Sequence, residues 1–196
     1  MRVLLLCDRL SWSYHSIARA LVKHNADPDL TLDVMALKGH ESEFLSIEKP
    51  YDRVVVMGWQ MAESRSVRRA LDGQRWLTGV HSHHSWDGDL LTTPDHDVPP
   101  PWPLILFLRK FRGVNVVSDR LWRLFSDEKI ENVKSHPEYR INPTYTPNGV
   151  DTEVFKPTQP LSTDGPLRVG FAGTAKGIHD SRKGYSEYVV PACCKA

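Results

Sequence analysis

The chain has 196 residues, a formal net charge of +1, and a composition of 40% hydrophobic and 25% charged residues. This length allows one well-formed core but is too short for two complete α/β domains. The nearly balanced charge removes the electrostatic basis for a nucleic-acid partner, and no apolar run reaches the roughly 20 residues needed to span a bilayer. The cysteines, Cys7, Cys193 and Cys194, form neither a disulfide framework nor a CxxC metal pair. We therefore expect free thiols and a cytoplasmic protein.

Short apolar runs alternate with helical patterns along the chain. The first run, RVLLLC at residues 2–7, is continuous and aliphatic, which is typical of a parallel strand buried on both faces. Further strands are predicted at 30–37, 53–57, 76–80 and 114–117. Helices are predicted around 14–21, 67–71, 104–108 and 121–125. This alternation predicts an α/β fold with right-handed βαβ crossovers and a doubly wound parallel sheet.

Three details of the pattern concern helix ends and the segments between helices. Ser11 or Ser13 is expected to cap the first helix, because a serine hydroxyl accepts a hydrogen bond from a free N–H group there. The proline-dense stretch 92–103 predicts a loop or a polyproline-like segment. The apolar residues 104–108 are followed by basic residues and permit contact with a membrane surface, although packing in the core is the favoured interpretation.

Ligands of doubly wound sheets bind beyond the carboxyl ends of the strands. This rule directs attention to Cys7–Asp8, Gly58–Trp59, residues 81–89 and Ser118–Asp119. The richest of these segments is VHSHHSWDGD, residues 80–89, which contains three histidines and two acids. An imidazole with a pKa near neutrality can act as an acid, a base or a ligand.

The histidine cluster, His81, His83 and His84, admits three interpretations. It forms the wall of an active-site cleft, it is a hydrogen-bonded polar loop, or it begins a metal site. The spacing of His81 and His83 is the H-x-H that begins several hydrolase metal sites. The H-x-H-x-D-H pattern, however, needs an aspartate where Ser85 stands. The cleft wall is the favoured interpretation, and the other two stay open.

The segment TPNGVDTEVFKP, residues 146–157, precedes a proline-rich stretch. Asn148 and Gly149 signal a tight turn, because glycine takes a positive φ at no steric cost. The segment closely resembles the P-N-G-V-D-x-x-x-F-x-P signature of group 1 (family 4) retaining glycosyltransferases of the GT-B fold. In that family the signature marks the crossing from the first Rossmann-like domain to the second.

Other segments are similar to the same family. Residues 115–125 resemble the strand, serine and helix that precede the signature, and residues 167–173 resemble the opening strand of the donor domain. The resemblance implies a Rossmann-like doubly wound sheet, the GT-B N-terminal domain, with an incomplete second Rossmann-like domain. We expect an acceptor-side domain at 1–155, a linker at 156–166, and the first strand and helix of a truncated donor-binding domain at 167–196.

The resemblance also implies an activity. The expected reaction is retaining transfer of a sugar from a nucleotide-diphosphate sugar to an unidentified acceptor, a saccharide, a lipid-linked molecule or another compound, with no metal ion or other cofactor. A lysine and backbone N–H groups at a helix start would stabilise the departing diphosphate. The residues that the resemblance assigns are His81 as catalytic, Lys183, Arg182 and Gly173 as donor-binding, and Trp12, His83, Trp86 and Asp87 as acceptor-binding.

The chain departs from the family pattern in three places. Residues 7–16 contain no glycine where the family often has a Gly-Gly loop, and Thr174 and Ala175 stand where an arginine is usual. The sequence ends before the E-x(7)-E region that holds the donor sugar, so we expect a fragment or a truncated relative that is inactive alone. Two alternative functions stay open: a non-catalytic binding protein derived from a glycosyltransferase, and a metal-dependent hydrolase that uses His81, His83 and His84.

Overall fold

The computed structural model describes residues 1–42, 44–82, 99–126, 137 and 140–149. Within these residues six strands form one all-parallel sheet in the order β2-β1-β3-β4-β5-β6. The strands are β1 (Arg2–Cys7), β2 (Thr31–Ala36), β3 (Arg53–Val56), β4 (Trp76–Val80), β5 (Gly113–Val116) and β6 (Thr144–Tyr145). All of the described residues belong to one compact unit.

Helices connect the strands and cover both faces of the sheet. They are α1 (Ser13–Lys23), α2 (Phe44–Ile47), a 3₁₀ helix (Trp59–Glu63), α3 (Arg65–Ala70), α4 (Trp102–Leu108) and α5 (Asp119–Ser126). No helix in the described part of the chain is long and apolar enough to cross a membrane.

The strand β1 lies at the centre of two cores because its side chains alternate between the faces of the sheet. Val3 and Leu5 belong to a cluster with Ala18 of α1. Leu4 belongs to a second cluster with Phe44 of α2, residues of α3 and residues of β3 and β4. The helices α4 and α5 pack against β4 and β5 in a third cluster. The predicted α/β, doubly wound parallel sheet is therefore confirmed, and it is compatible with a Rossmann-like fold.

The predicted strands agree with the structure to within one residue at each end, but three elements were not predicted. The short helix α2, the 3₁₀ helix and the two-residue strand β6 carry too few residues to produce a periodic pattern. The interpretation of 92–103 as non-helical was wrong at its end, because Trp102 and Pro103 form the first turn of α4. Proline is tolerated in the first turn, because an N–H group at that position would have no hydrogen-bond partner within the helix.

The predicted serine cap of α1 was also wrong. Trp12 occupies the capping position and makes no side-chain hydrogen bond there. Ser11 instead adopts a φ of 58°, in the left-handed region. The membrane-contact alternative for residues 104–108 gives way to core packing, because Leu104, Ile105 and Leu108 are buried. The predicted linker at 156–166, the strand and helix at 167–196 and the domain boundary at 155 lie outside the described residues.

An ion-pair network connects the segments at the amino-terminal ends of the strands, which form the amino edge of the sheet. Arg75, which directly precedes β4, donates from Nη2 to Glu48 Oε2 at 2.8 Å and from Nε to Asp72 Oδ2 at 2.8 Å. Its Nη1 donates to the carbonyl oxygen of Tyr51 at 2.9 Å. Glu48 is one of two buried polar side chains among the described residues. Arg75 therefore joins the end of α2 to the starts of β3 and β4.

We expect Arg75→Ala to lower the free energy of unfolding by about 3 kcal/mol, because it leaves the Glu48 carboxylate buried without its cation. Adding Glu48→Gln should recover part of this loss. The control is Asp33→Asn, which breaks the exposed Arg2–Asp33 ion pair and should cost much less because water solvates both groups. Urea denaturation measures all three variants, and equal losses for Arg75→Ala and Asp33→Asn would contradict the assignment.

Candidate functional site

The strand order reverses direction at β1. The chain leaves β1 for β2 on one side, and every later strand is added on the other side of β1. Such a reversal opens a crevice beyond the carboxyl ends of the two strands concerned, here β1 and β3. Asp8 follows β1, and Gly58 lies just beyond β3. The end of the sheet at which these strands finish, called the carboxyl edge, is the candidate functional site.

Two glycines make room for two rings at this edge. A Cβ atom at Gly58 would lie 2.7 Å from Cε2, Cζ and Oη of Tyr14, which stands in the first turn of α1. A Cβ atom at Gly79 would lie 2.7 Å from Nε2 of His81 and 2.8 Å from the carbonyl oxygen of Met57. Each ring thus occupies the space that a side chain on the adjacent strand end would fill. Both glycines are required for close approach rather than for an unusual φ.

Tyr14 and His81 contact each other. Their ring centroids are 4.9 Å apart with an interplanar angle of 70°, the edge-to-face arrangement that aromatic pairs prefer. Tyr14 comes from the loop and helix after β1, and His81 comes from the residue after β4. The pair therefore closes over the end of β3, which lies between these two strands.

The environment of His81 favours its neutral form. Burial lowers the pKa of the imidazole below its usual value, and a hydrogen bond to the carbonyl group of Met57 opposes this shift. A carbonyl oxygen only accepts, so the ring donates this hydrogen bond. The neutral ring therefore carries its proton on the nitrogen that faces Met57 and keeps its other nitrogen as an acceptor.

Asp8 places a carboxylate beside Tyr14. Burial raises the pKa of the Tyr14 phenol, and the charge of Asp8 raises it further. The Oδ1 atom of Asp8 is buried and has no hydrogen-bond partner. Its other oxygen, Oδ2, lies 3.9 Å from Nε of Arg9, which is too long for a hydrogen bond.

Cys7, next to Asp8 in sequence, is a structural residue. Burial raises the pKa of its thiol, and the charge of Asp8 raises it further. The Sγ atom donates to the carbonyl oxygen of Met35 at 3.3 Å. A buried thiol with a raised pKa is a poor nucleophile, so the chemistry of this edge resides in Asp8, Tyr14 and His81.

The end of β6 reaches the same edge. Asn115 of β5 places its Oδ1 atom 3.1 Å from the position of a Cβ atom at Gly79, and its Nδ2 donates to Oγ1 of Thr146 at 2.9 Å. The N–H group of Thr146 donates to the carbonyl oxygen of Val116 at 2.9 Å. These bonds fix the start of the segment 146–149 beside the His81 region, and this segment is extended or irregular there rather than the predicted tight turn with a positive φ at Gly149.

The loop between β1 and α1 borders the crevice. The guanidinium group of Arg9 lies 3.1 Å from the centroid of the Trp12 ring, and 45% of Trp12 is exposed. The N–H group of Ser11 donates to Nδ1 of His15 at 3.2 Å. The loop contains no glycine, so a serine takes the left-handed conformation that glycine usually supplies.

Of the predicted site residues, His81 and Trp12 are described, and both lie on the carboxyl edge. His83, Trp86, Asp87, Gly173, Arg182 and Lys183 lie outside the described residues, so their assignments stay predictions. Trp59, which sequence analysis placed at a strand end, is buried and packs edge-on against Phe107 in the core. Ser118 caps α5 by accepting a hydrogen bond from the N–H group of Leu121.

Sequence analysis did not identify three residues of this site, Tyr14, Gly79 and Asn115, and it noted Asp8 and Gly58 only as strand ends. One signal was present in the sequence. Gly79 stands two residues before His81, on the same face of β4, so it leaves space into which a following side chain can fold. The contact with Tyr14 had no signal, because it depends on how α1 crosses the sheet.

The metal-site alternative receives no support in the described residues. Among them, no group of three histidine, cysteine, aspartate or glutamate side chains is placed to hold a metal ion. His83 and His84, which the alternative also requires, lie outside the described residues.

The chain matches no protein-family model, no curated protein and no solved structure. The resemblance of residues 146–157 to a glycosyltransferase signature therefore stays a similarity of sequence motif. The geometry of the carboxyl edge and this motif are the two observations that bear on function.

The lowered pKa of His81 makes stability depend on pH. The unfolded chain binds a proton at the usual histidine pKa of about 6.5, above the pKa of the folded state. The resulting stabilisation is fully present above the unfolded pKa and is lost as the pH falls through the folded pKa. Between about pH 7.5 and 5.5, the protein should therefore lose more stability in urea denaturation than His81→Gln does. Parallel pH profiles would show that His81 is not held neutral by the fold.

We expect Gly79→Ala to displace the His81 ring and to break its hydrogen bond to Met57. Overpacking of this kind costs about 1 to 3 kcal/mol of stability. NMR titration should show that the pKa of His81 rises toward its usual value, because the displaced ring gains water. Gly149→Ala is the control, since no atom lies within 4 Å of its added Cβ. An unchanged His81 titration in Gly79→Ala would disprove the close approach.

Proposed function

We propose that this chain carries the acceptor-side, Rossmann-like domain of a retaining glycosyltransferase that uses a nucleotide-diphosphate sugar. The observation that carries the proposal is the position of His81. It stands at the first residue after β4, on the carboxyl edge, and leans over the end of β3 toward Tyr14. That is the crevice in which doubly wound sheets bind their ligands.

The groups nearest Tyr14 and His81 suit a ligand that brings hydrogen-bond donors, while Arg9 places a cation on the loop that borders them. The groups around Tyr14 and His81 are the Asp8 carboxylate, the Met57 carbonyl and the Asn115 amide oxygen. All of these accept hydrogen bonds, and a phosphate group brings only acceptors of its own. Hydroxyl groups of a saccharide supply the donors that such a surface needs.

The signature segment supports the same interpretation. The chain leaves β6 at Thr146 on the carboxyl edge, and the residues Pro147, Asn148 and Gly149 of the signature follow directly. In the resembling family this signature leads from the acceptor side to the donor domain. We assign the donor diphosphate to Lys183, Arg182 and Gly173, where a cation and free N–H groups would stabilise the leaving group.

His81 then orients the reacting sugar. Its ring is held by Gly79, Tyr14 and the Met57 carbonyl, and a neutral imidazole that donates to Met57 offers its other ring nitrogen as an acceptor to a sugar hydroxyl. A group held in place before the reaction contributes to the rate because the transition state needs no rearrangement. The proposed reaction uses no metal ion.

The test uses this chain joined to a complete donor domain. Release of nucleoside diphosphate is measured for a panel of nucleotide sugars with saccharide and lipid-linked acceptors, and NMR records the anomeric configuration of the product. His81→Ala should lower turnover at least tenfold, which corresponds to about 1.4 kcal/mol of barrier. His24→Ala, an exposed histidine after α1 at the opposite edge, should keep full activity.

Two results would overturn the proposal. Absence of turnover with every nucleotide sugar would remove the activity itself. Full turnover by His81→Ala would show that the protein has the activity but that His81 takes no part in it.

A further inference from the structure

Asp8 presents an unused hydrogen-bond acceptor at the crevice. Its Oδ1 atom is buried without a partner, while Oδ2 faces the exposed Arg9 side chain at 3.9 Å. An acceptor that is removed from water and left unpaired costs free energy, and the cost is greater when the group is charged. Folding alone therefore gives no reason for a carboxylate oxygen in this orientation.

The described neighbours of Asp8 compensate its charge only in part: 36% of its side chain is exposed, and the Arg9 guanidinium pairs with Oδ2 at 3.9 Å. The negative charge of the carboxylate raises the pKa of the Tyr14 phenol and that of the Cys7 thiol. The Cys7 thiol donates its proton to Met35 rather than to Asp8. The missing partner of Oδ1 is thus a proton donor that the described residues do not provide.

A second acceptor lies across Tyr14 from Asp8. His81 donates one ring N–H to the carbonyl group of Met57, so the other nitrogen of the neutral ring stays an acceptor. A ligand that satisfies both residues must bring at least two donors on one molecule. A polyol such as a saccharide does so, whereas a phosphate is repelled by the carboxylate and brings no donor.

We propose that Asp8 Oδ1 accepts a hydrogen bond from a hydroxyl group of a neutral saccharide bound in the crevice between β1 and β3, with His81 as the second contact. Identification of this saccharide as the acceptor rests on the proposed function. The guanidinium group of Arg9 covers one face of the exposed Trp12 ring, so only the opposite face is left for stacking with a sugar ring.

The experiment titrates the 196-residue chain with neutral probes and follows it by NMR. The probes are the methyl glycosides of glucose, galactose, mannose and N-acetylglucosamine, together with myo-inositol, and inorganic pyrophosphate is the anionic comparison. At least one neutral probe should shift the resonances of Asp8, Tyr14 and His81, and pyrophosphate should leave them unchanged.

Asp8→Asn should weaken this binding by about tenfold or more, because the carboxylate contributes a charge-assisted hydrogen bond. Asp29→Asn makes the same change of charge beside the start of β2, at the opposite edge, and should bind as the unaltered chain does. The pKa of Tyr14 should fall in Asp8→Asn, since one of the two causes of its increase is removed. Retention of the contact between the Tyr14 and His81 rings, measured by nuclear Overhauser effects, shows that the crevice remains folded in the variant.

Three results would overturn the inference: no shift with any neutral probe, equal affinity in Asp8→Asn and the unaltered chain, or pyrophosphate bound at the same resonances. Failure of the proposed function looks different. In that case saccharides bind in an Asp8-dependent way, but the chain with a complete donor domain turns over no nucleotide sugar. Conversely, the enzyme can be active while Asp8→Asn leaves the KM for the acceptor unchanged. That result contradicts the role of Asp8 but not the proposed function.

Discussion

At the ends of two neighbouring strands an aromatic ring lies directly against the backbone, and these two contacts determine the structure of the carboxyl edge. The ring of Tyr14 rests where Gly58 has no side chain, and the ring of His81 rests where Gly79 has none. Because packed interiors tolerate almost no excess volume, the two glycines decide that the rings lie against the sheet rather than in solvent. The edge-on contact, the neutral imidazole and the fixed tautomer all follow from that placement.

The two edges of the sheet use polar groups in opposite ways. At the amino edge, Arg75 satisfies Glu48, Asp72 and a backbone carbonyl, so the charges there are consumed by the fold. At the carboxyl edge, Asp8 keeps a buried oxygen without a partner. Satisfied networks rigidify a structure, and among the four buried side-chain atoms without a partner in the described residues, Asp8 Oδ1 is the only carboxylate oxygen. The division agrees with the general location of ligands in parallel sheets.

Sequence periodicity was sufficient to predict the strands of the sheet, but it was insufficient to predict the contacts within the candidate site. The runs of β1 and β4 are apolar and bounded by charged or turn residues, so their limits could be read directly. The strand β6 has two exposed residues and exists through pairing with β5, which leaves no local pattern. His81 could be identified because chemistry-bearing residues followed a strand. Its tautomer and the free oxygen of Asp8 depend on distances between segments far apart in sequence, which no local pattern contains.

The central position of β1 has a consequence for synthesis of the chain. This strand precedes both of its neighbours, since β2 begins at Thr31 and β3 begins at Arg53. The nascent RVLLLC segment, rich in aliphatic residues, therefore lacks its partner on one side until β2 is made, and its partner on the other side until roughly fifty further residues are made. Charges at the ends of such a segment oppose aggregation, and here they are Arg2 and Asp8. The carboxylate at the end of β1 thus also opposes aggregation of this strand before folding is complete.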